Sequence, residues 1–369
     1  MKVMLLIDSL SNGGAERQLT LLAAGLPQAW QRRVCALGDG PFAARLRDQG
    51  VPVSVFPRGS RRDLLPAVGL WRSLLASSPD IVHSWGWMST MAVGPLCRLA
   101  GVPLIDGTVR SGVPETDHPH LRRLGMAFAA TIVANSRAGL LASSGARAKG
   151  IVVYNGFDWS RVDAAHVTMR ADDCPAGGAE RPFIVVMTGR MVPVKDFRTV
   201  IRAARLLCQG NRAWRFVLIG DGEDRAQLMA EAADLVNEGI VEYPEPDLEV
   251  LQHVRRAHAG VLMTDPAYGQ EGLSNSIMEY MACALPVVCA DSGGCTELVS
   301  DGQTGFVIPP RDPVALAARL AWLREHPEMC RTMGAAGRVR VETAFTVSRV
   351  VHEYVEFYEE AVSRGGVYS

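Results

Sequence analysis

Short apolar runs alternate with helix-periodic stretches along the whole chain, and this alternation constrains the fold more than any other feature. In the first half the runs are Val3–Ile7, Arg33–Leu37, Val53–Phe56, Ile81–His83, Leu104–Asp106, Thr131–Ala134 and Ile151–Tyr154. A second series comprises Phe183–Thr188, Arg215–Ile219, Gly239–Tyr243, Gly260–Thr264 and Pro286–Ala290. Strands that each lead into a helix return to their sheet in parallel, so the pattern predicts α/β architecture. Between the two series, Arg170–Arg181 is polar, rich in small residues and helix-breaking, and reads as a linker. A chain of 369 residues can bury two sizeable cores. We therefore expect domains over residues 1–165 and 182–345, a linker over 166–181, and an amphipathic terminal helix within 346–369. Ligands of doubly wound sheets sit outside the carboxyl ends of the strands, so the cleft between two such domains is the expected site.

The composition, 48% hydrophobic and 21% charged, is that of a soluble globular protein, and no run approaches the roughly 18 apolar residues of a membrane span. The apolar run within Met1–Asp8 is too short for a signal-peptide core and reads as a first buried strand. Eight cysteines (35, 97, 174, 208, 283, 289, 295 and 330) form no C-x-x-C pair, which points to buried thiols in a reducing, cytoplasmic compartment. The net charge of −1 hides an asymmetry: residues 1–150 carry 17 Lys and Arg against 9 Asp and Glu, and the remainder 21 against 30. Arg58, Arg61, Arg62, Arg72, Arg98, Arg122, Arg123, Arg147 and Lys149 contribute to the excess. Two readings stand. The halves attract each other across a cleft, or the basic half meets an anionic acceptor or the anionic inner membrane face, as a peripheral contact. No nucleic-acid partner is expected.

The chemistry is concentrated in Glu271-Gly-Leu-Ser-Asn-Ser-Ile-Met-Glu279, followed by Gly293-Gly294-Cys-Thr-Glu297. A turn-rich loop, Asp265–Gly272, leads from a strand into a helix expected from about Leu273 to Ala284. The start of that helix offers unpaired backbone N–H groups and the positive end of a dipole, an anion site. Glu271 falls just outside the helix and Glu279 about one and a half turns inside it. A carboxylate does not bind phosphate, so the pair suits hydroxyls on either side of a diphosphate. That combination describes a nucleotide sugar. Gly189-Arg190 follows the strand Phe183–Thr188, and Lys195 opens a helix over Asp196–Leu207, which brings both cations beside the same helix start. A cation about 4 Å from a phosphate oxygen is worth up to about 4 kcal/mol at an effective dielectric of about 20. Two cations and a helix end can thus supply much of the leaving-group stabilisation that a divalent metal gives elsewhere. The nearest approach to D-x-D is Asp221-Gly-Glu223, in a turn, so we expect metal-independent chemistry with no metal ligands and no cofactor.

Together these segments resemble the retaining GT-B glycosyltransferases of family four, the glycosyl transferases group 1. The resemblance runs in order through Gly13-Gly14-Ala15-Glu16-Arg17, Ala134-Asn135-Ser136, Tyr154-Asn155-Gly156-Phe157-Asp158, Gly189-Arg190 with Lys195, and Ile219-Gly220-Asp221-Gly222. It continues through the Glu271–Glu279 and Gly293–Glu297 segments to Asp301-Gly302-Gln303-Thr304-Gly305. It implies GT-B architecture: two Rossmann-like domains with parallel sheets facing across a cleft, the first binding acceptor, the second donor. The terminal helix would pack back on the first domain. By the same resemblance Arg190, Lys195 and Glu271 are catalytic, Glu271 contacting the transferred sugar and the cations the departing diphosphate. Glu279 would contact the ribose, and Gly272, Leu273 and Ser274 the diphosphate through their backbone, with Gly189 and Glu297 also on the donor side. Glu297 has a second reading, as a cap of a helix beginning near Thr296. Gly14, with Gly13, would face the diphosphate; a merely tight turn is the alternative. Asp39 lies near the end of the second strand, where a ribose-binding acid would sit. The family also implies that the leaving phosphate oxygen itself deprotonates the incoming hydroxyl.

The acceptor side departs from the family. Many relatives carry a histidine after the strand equivalent to Leu104–Asp106, where this chain has Arg110. His83, before Ser84-Trp85-Gly86-Trp87, and His118, in Asp117-His-Pro-His120, are further candidates, and His83, Arg110 and His118 are taken as acceptor-binding. The tryptophans are either sugar platforms or core. The base-reading loop, Tyr243–Glu249, also departs from the glycine-containing family version. The activity implied is transfer of a hexose from a UDP- or GDP-sugar to a hydroxyl of a glycan or lipid-linked glycan, in cell-surface polysaccharide synthesis. The alternatives are a nucleotide-sugar epimerase and a non-catalytic sugar-binding synthase subunit.

Overall fold

The computed structural model describes the chain except residue 12 and residues 60–62, 112–117, 144, 165–181, 209–212, 246–249 and 365–369. The expected linker 166–181, Cys174, Arg61 and Arg62, and residues 246–249 of the base-reading loop lie outside the described residues. The chain forms two compact units, Met1–Gly156 with Val347–Ser369, and Phe157–Thr346. The change of unit thus falls at Gly156 rather than at residue 165.

Unit one runs β1 (Lys2–Ile7), α1 (Gly14–Gly25), β2 (Gln31–Ala36), α2 (Pro41–Asp48), β3 (Val53–Val55), α3 (Leu65–Ser77), β4 (Ile81–Ser84), α4 (Trp87–Ala100) and β5 (Leu104–Val109). It continues with α5 (Pro119–Phe128), β6 (Thr131–Ala134), α6 (Arg137–Ala142) and β7 (Gly150–Val152). Unit two holds α7 (Ser160–Ala164), β8 (Phe183–Thr188), α8 (Phe197–Leu207), β9 (Trp214–Ile219), α9 (Arg225–Glu231), α10 (Ala233–Asn237), β10 (Val241–Glu242) and α11 (Leu251–Val254). After these come β11 (Ala259–Leu262), α12 (Asn275–Ala282), β12 (Val287–Ala290), α13 (Cys295–Leu298), β13 (Gly305–Ile308), α14 (Pro313–Glu325) and α15 (Pro327–Ala344). The terminal helix, α16 (Val347–Ser363), belongs to unit one, where it packs on α1 and β4.

Both sheets are parallel, ordered β3-β2-β1-β4-β5-β6-β7 and β10-β9-β8-β11-β12-β13. The strand order reverses between β1 and β4 and again between β8 and β11. At such a point the two crossovers leave in opposite directions and open a crevice at the carboxyl ends of the strands. The alternation along β1 feeds both faces of its sheet. Val3, Leu5 and Ile7 join a core with Leu19, Leu22, Tyr354 and Tyr358 under α1, α2 and α16. Met4 and Leu6 join Leu70, Leu74, Val93 and Cys97 under α3 and α4.

Several boundaries differ from the expected ones. β10 is confined to Val241–Glu242, and Lys195 lies two residues ahead of α8 rather than opening it. The helix expected from Leu273 begins at Asn275, because Ser274 is its N-cap. β13 and α15 were not anticipated as elements: β13 is a four-residue edge strand directly behind a turn, and reads as loop without its partner β12. Seven cysteines among the described residues are free, six of them buried. No helix among them is long and apolar enough to cross a membrane.

Candidate active site

The switch point of unit two gathers the donor-side candidates. β8 ends at Thr188, and the chain turns through Gly189 into Arg190, which is exposed and has no side-chain hydrogen bond or ion pair among the described residues. The loop then pairs with the end of β11: Lys195 bridges Thr264, Asp196 N–H donates to the Met263 carbonyl (3.2 Å), and Asp265 N–H to that of Val194 (3.0 Å). This clasp brings Lys195 Nζ to 2.6 Å from Glu271 Oε1, with both side chains largely buried. Asp196 caps α8 by accepting from Thr199 N–H (3.0 Å).

Helix α12 is latched to the end of β8. Thr188 N–H donates to Tyr280 Oη (2.6 Å), and Ser276 Oγ donates to the Thr188 carbonyl (3.0 Å). Burial pushes the Tyr280 phenol pKa up, so the hydroxyl stays protonated. Gly272, Leu273 and Ser274 are buried at the mouth of α12, where Ser274 Oγ accepts from Ile277 N–H at 3.5 Å. A helix mouth of this kind is where first-turn N–H groups can meet an anion. Glu279, the fifth residue of α12, is buried, and its carboxylate accepts from Arg161 Nη1 at 2.7 Å. The other terminal nitrogen of Arg161 has no hydrogen-bond partner among the described residues.

The glycines here are fixed by close backbone approach. Gly293 has φ +54°, and a Cβ there would stand 2.0 Å from the Glu271 carbonyl oxygen, while Gly294 N–H donates to that same oxygen at 3.0 Å. A Cβ on Gly220 would stand 1.8 Å from the Gly189 carbonyl oxygen. The Gly-Gly and Gly-Asp-Gly segments therefore act as backings for the two loops that carry Glu271 and Arg190. Glu297 lies half-buried in α13, which starts at Cys295 on an N-cap of Gly294 with no side-chain cap bond.

The switch point of unit one holds the rest. Gly13 is the N-cap of α1 and Gly14 its first residue; a Cβ on Gly13 would meet Glu16 Oε2 at 2.3 Å. Asp39 is exposed and accepts from Gly40 N–H at 2.9 Å. Asp8 accepts from Ser89 N–H and Oγ–H (2.9 and 2.7 Å), tying the end of β1 to the start of α4. Gln18 brackets Gly156 with two hydrogen bonds of 2.8 and 2.9 Å.

His83, expected at the acceptor pocket, is fully buried and offers no surface. Trp85 Nε1 donates to its Nδ1 at 3.2 Å, and Tyr358 Oη lies 2.5 Å from the same nitrogen. An indole N–H can only donate, so Nδ1 is the accepting nitrogen and the proton sits on Nε2, which has no partner among the described residues. Burial, with Arg110 nearby, holds the His83 pKa well below the usual imidazole range. Arg110 is half-buried, with its guanidinium 3.7 Å from the Trp85 ring centroid and Nε donating to the Gly107 carbonyl at 3.0 Å. The Trp85 ring is thus both core and platform, its partner being a cation. His118 is exposed with φ +50° at the start of α5, its ring 5.3 Å from that of Trp87. Arg161, Tyr280, Asp8 and Gln18 join these sites without standing in an expected motif; only Arg161, three residues past the Tyr154–Asp158 motif, carries a usable signal in the sequence.

Two doubly wound units, each with its candidate residues at the carboxyl edge of a parallel sheet, define a GT-B fold. A model of the glycosyltransferase family 4 matches residues 12–161, and one of the glycosyl transferases group 1 matches residues 172–340. The chain is similar to crystalline HepE (Alr3699) of Anabaena in complex with UDP-glucose, with a TM-score of 0.83 at 22% identity over 98% of this chain and 100% of that one. Among curated relatives, D-inositol 3-phosphate glycosyltransferase of Thermobispora bispora is 26% identical over 87% of this chain and 88% of that protein. The amylovoran biosynthesis glycosyltransferase AmsK of Erwinia amylovora is 29% identical over 48% of this chain, a match that spans 45% of AmsK. The chain belongs to the GT-B glycosyltransferases of the family-four type.

Proposed function

We propose that this glycosyltransferase moves a hexose, with retention and without a metal, from a UDP- or GDP-sugar to a hydroxyl of a glycan or lipid-linked glycan in cell-surface polysaccharide synthesis. The observation that carries the reading is the Lys195–Glu271 contact of 2.6 Å beside the mouth of α12. It supports a reading in which the cation meets the charge developing on the leaving group and the carboxylate holds sugar hydroxyls. The UDP-glucose named for HepE and the amylovoran named for AmsK support the donor and acceptor classes.

In this mechanism the acceptor oxygen bonds the anomeric carbon as the bond to the diphosphate breaks on the same face. The acceptor proton passes to the leaving phosphate oxygen, and a nucleoside diphosphate departs. Lys195 and Arg190, with the α12 N–H groups, take up the charge; Gly13, Gly14, Gly189, Gly272, Leu273, Ser274 and Glu297 line the donor, and Glu279 orients the ribose. Arg110 and His118 meet the acceptor, and His83 supports them from behind Trp85. The free, mostly buried thiols support a reducing, cytoplasmic setting.

A thermal-shift and turnover panel of UDP-, GDP- and ADP-sugars tests the reading. Binding and nucleoside diphosphate release in EDTA, with a product of unchanged anomeric configuration, are expected. No binding and no turnover would end it; binding without turnover would make the chain a sugar-binding subunit. Loss of activity in EDTA would overturn metal independence, and an inverted product would overturn retention.

A further inference from the structure

Arg311 has φ +58°, a left-handed backbone conformation that disfavours any side chain. Among the described residues Ser78, His118 and Ala284 share it without being glycine. Ser78 and Ala284 stand at the ends of α3 and α12, where a left-handed residue is an ordinary way to stop a helix. Arg311 closes no helix. It lies in Pro309-Pro310-Arg311-Asp312-Pro313, between β13 and α14, and the prolines restrict φ on both sides of it. Asp312 stiffens the turn further by capping α14, where it accepts from Ala315 N–H at 2.8 Å. A costly conformation kept in a stiff turn points to a contact that the side chain makes.

That contact is with Asp265. Arg311 Nε donates to Asp265 Oδ1 at 2.5 Å, and Nη2 pairs with the same oxygen. The Asp265 side chain is largely buried, and that of Arg311 half-exposed. Asp265 opens the loop that leads to Glu271. Its Oδ1 also accepts from Ala267 N–H (2.9 Å) and its carbonyl from Tyr268 N–H (3.1 Å), while its own N–H holds the Val194 carbonyl. The hydrogen bond to Asp265 raises the Arg311 pKa, and Asp196, on the other side of the clasp, adds to the rise. The guanidinium therefore acts on carboxylates of both loops, the one that carries Arg190 and Lys195 and the one that carries Glu271.

We propose that Arg311 is a positioning residue: through Asp265 it anchors the Glu271 loop to the turn between β13 and α14. The anchor is a property of unit two; its bearing on sugar transfer rests on the nucleotide-sugar reading. Amide hydrogen exchange of the full-length protein, without nucleotide, tests the anchor. In Arg311→Ala and Arg311→Gly the amides of Asp265, Ala267, Tyr268 and Gly294, the last bonded to the Glu271 carbonyl, should exchange about five-fold faster, the effect of a part-exposed charge pair. Arg311→Lys should recover part of the protection. Asp265→Asn, which keeps an acceptor for Ala267, should match Arg311→Ala, and the double variant should be no worse than either. Arg311→Gly should melt above Arg311→Ala, since glycine takes the left-handed conformation freely. Equal loosening in the two despite that difference marks the loss of a side chain rather than of backbone stability. With UDP-glucose as the donor probe, kcat should fall about five-fold in both variants while KM changes less. Parent-like exchange in both, or additive loosening in the double variant, would overturn the proposal. So would parent-like kcat and KM beside a loosened loop. A parent that does not turn over UDP-glucose would count against the donor reading, and the exchange result would still decide the anchor.

Discussion

The guanidinium of Arg161 donates to the carboxylate of Glu279 at 2.7 Å, joining residues 118 positions apart with both side chains largely buried. Removing the cation takes a 2.7 Å ion-pair contact from a buried carboxylate, at an expected cost of up to about 3–5 kcal/mol. If Glu279 orients the ribose, Arg161→Ala raises KM for the donor more than it lowers kcat, and Arg161→Lys restores part of the affinity. Steady-state kinetics on the folded variants would show this; an unchanged donor KM would remove Arg161 from the site.

Lys195 and Arg190 should separate by what they cost. Lys195→Ala is expected to lower kcat on the order of 10²-fold, as lost stabilisation of departing charge. It should also lower the melting temperature, because Glu271 loses its 2.6 Å partner. Arg190 is exposed and makes no such bond among the described residues, so Arg190→Ala should slow nucleoside diphosphate release while melting as the parent does. Full activity in both variants would show that the charge is stabilised elsewhere.

At Gly293 a methyl group meets the Glu271 carbonyl at 2.0 Å, in a backbone conformation that disfavours a side chain. Gly293→Ala should destabilise by about 2 kcal/mol or more in urea unfolding and reduce activity beyond what the stability loss explains. A Glu271 loop displaced by the methyl would do both. Parent-like activity at full stability would show that this loop has room to move.

His83 gives a pH signature with a definite sign. Its folded pKa lies well below the unfolded value near 6.5, so above that pH the ring is neutral in both states and contributes nothing. As pH falls through about 6.5, the unfolded chain takes up a proton that the folded ring refuses, and stability is lost by up to about 1.4 kcal/mol per pH unit. Arg110 stays charged across this range, and burial raises the phenols of Tyr354, to about 12, and Tyr358, so neither ring partner titrates. Urea unfolding between neutral and mildly acid pH should show a shallower acid loss for His83→Gln than for the parent. Equal slopes would place the proton uptake on another group.

Local patterns were legible where they depend on neighbouring residues. Phe183–Thr188 and Thr131–Ala134 were readable to the residue, since strongly apolar runs bounded by turns leave few alternatives. Helix α12 starts two residues beyond the expected Leu273 because Ser274 uses its side chain as the cap. β13 went unread for want of its partner, and the partners of Glu279 and Glu271 were not paired in advance.

Alternating hydrophobicity, the two glutamates separated by seven residues and the ordered glycine segments determined the class of fold and pointed to the edge of the sheet where the candidate residues gather. They could do so because side-chain periodicity and turn residues act within a few positions of themselves. The tertiary structure decided which charges are paired and which histidine is out of reach. Lys195 meets Glu271 because the loop behind β8 clasps β11. His83 is sealed off by Tyr358 of a helix 275 residues away. Such contacts depend on strand order and on the return of the last helix to the first unit, and those are set by the packing of whole cores.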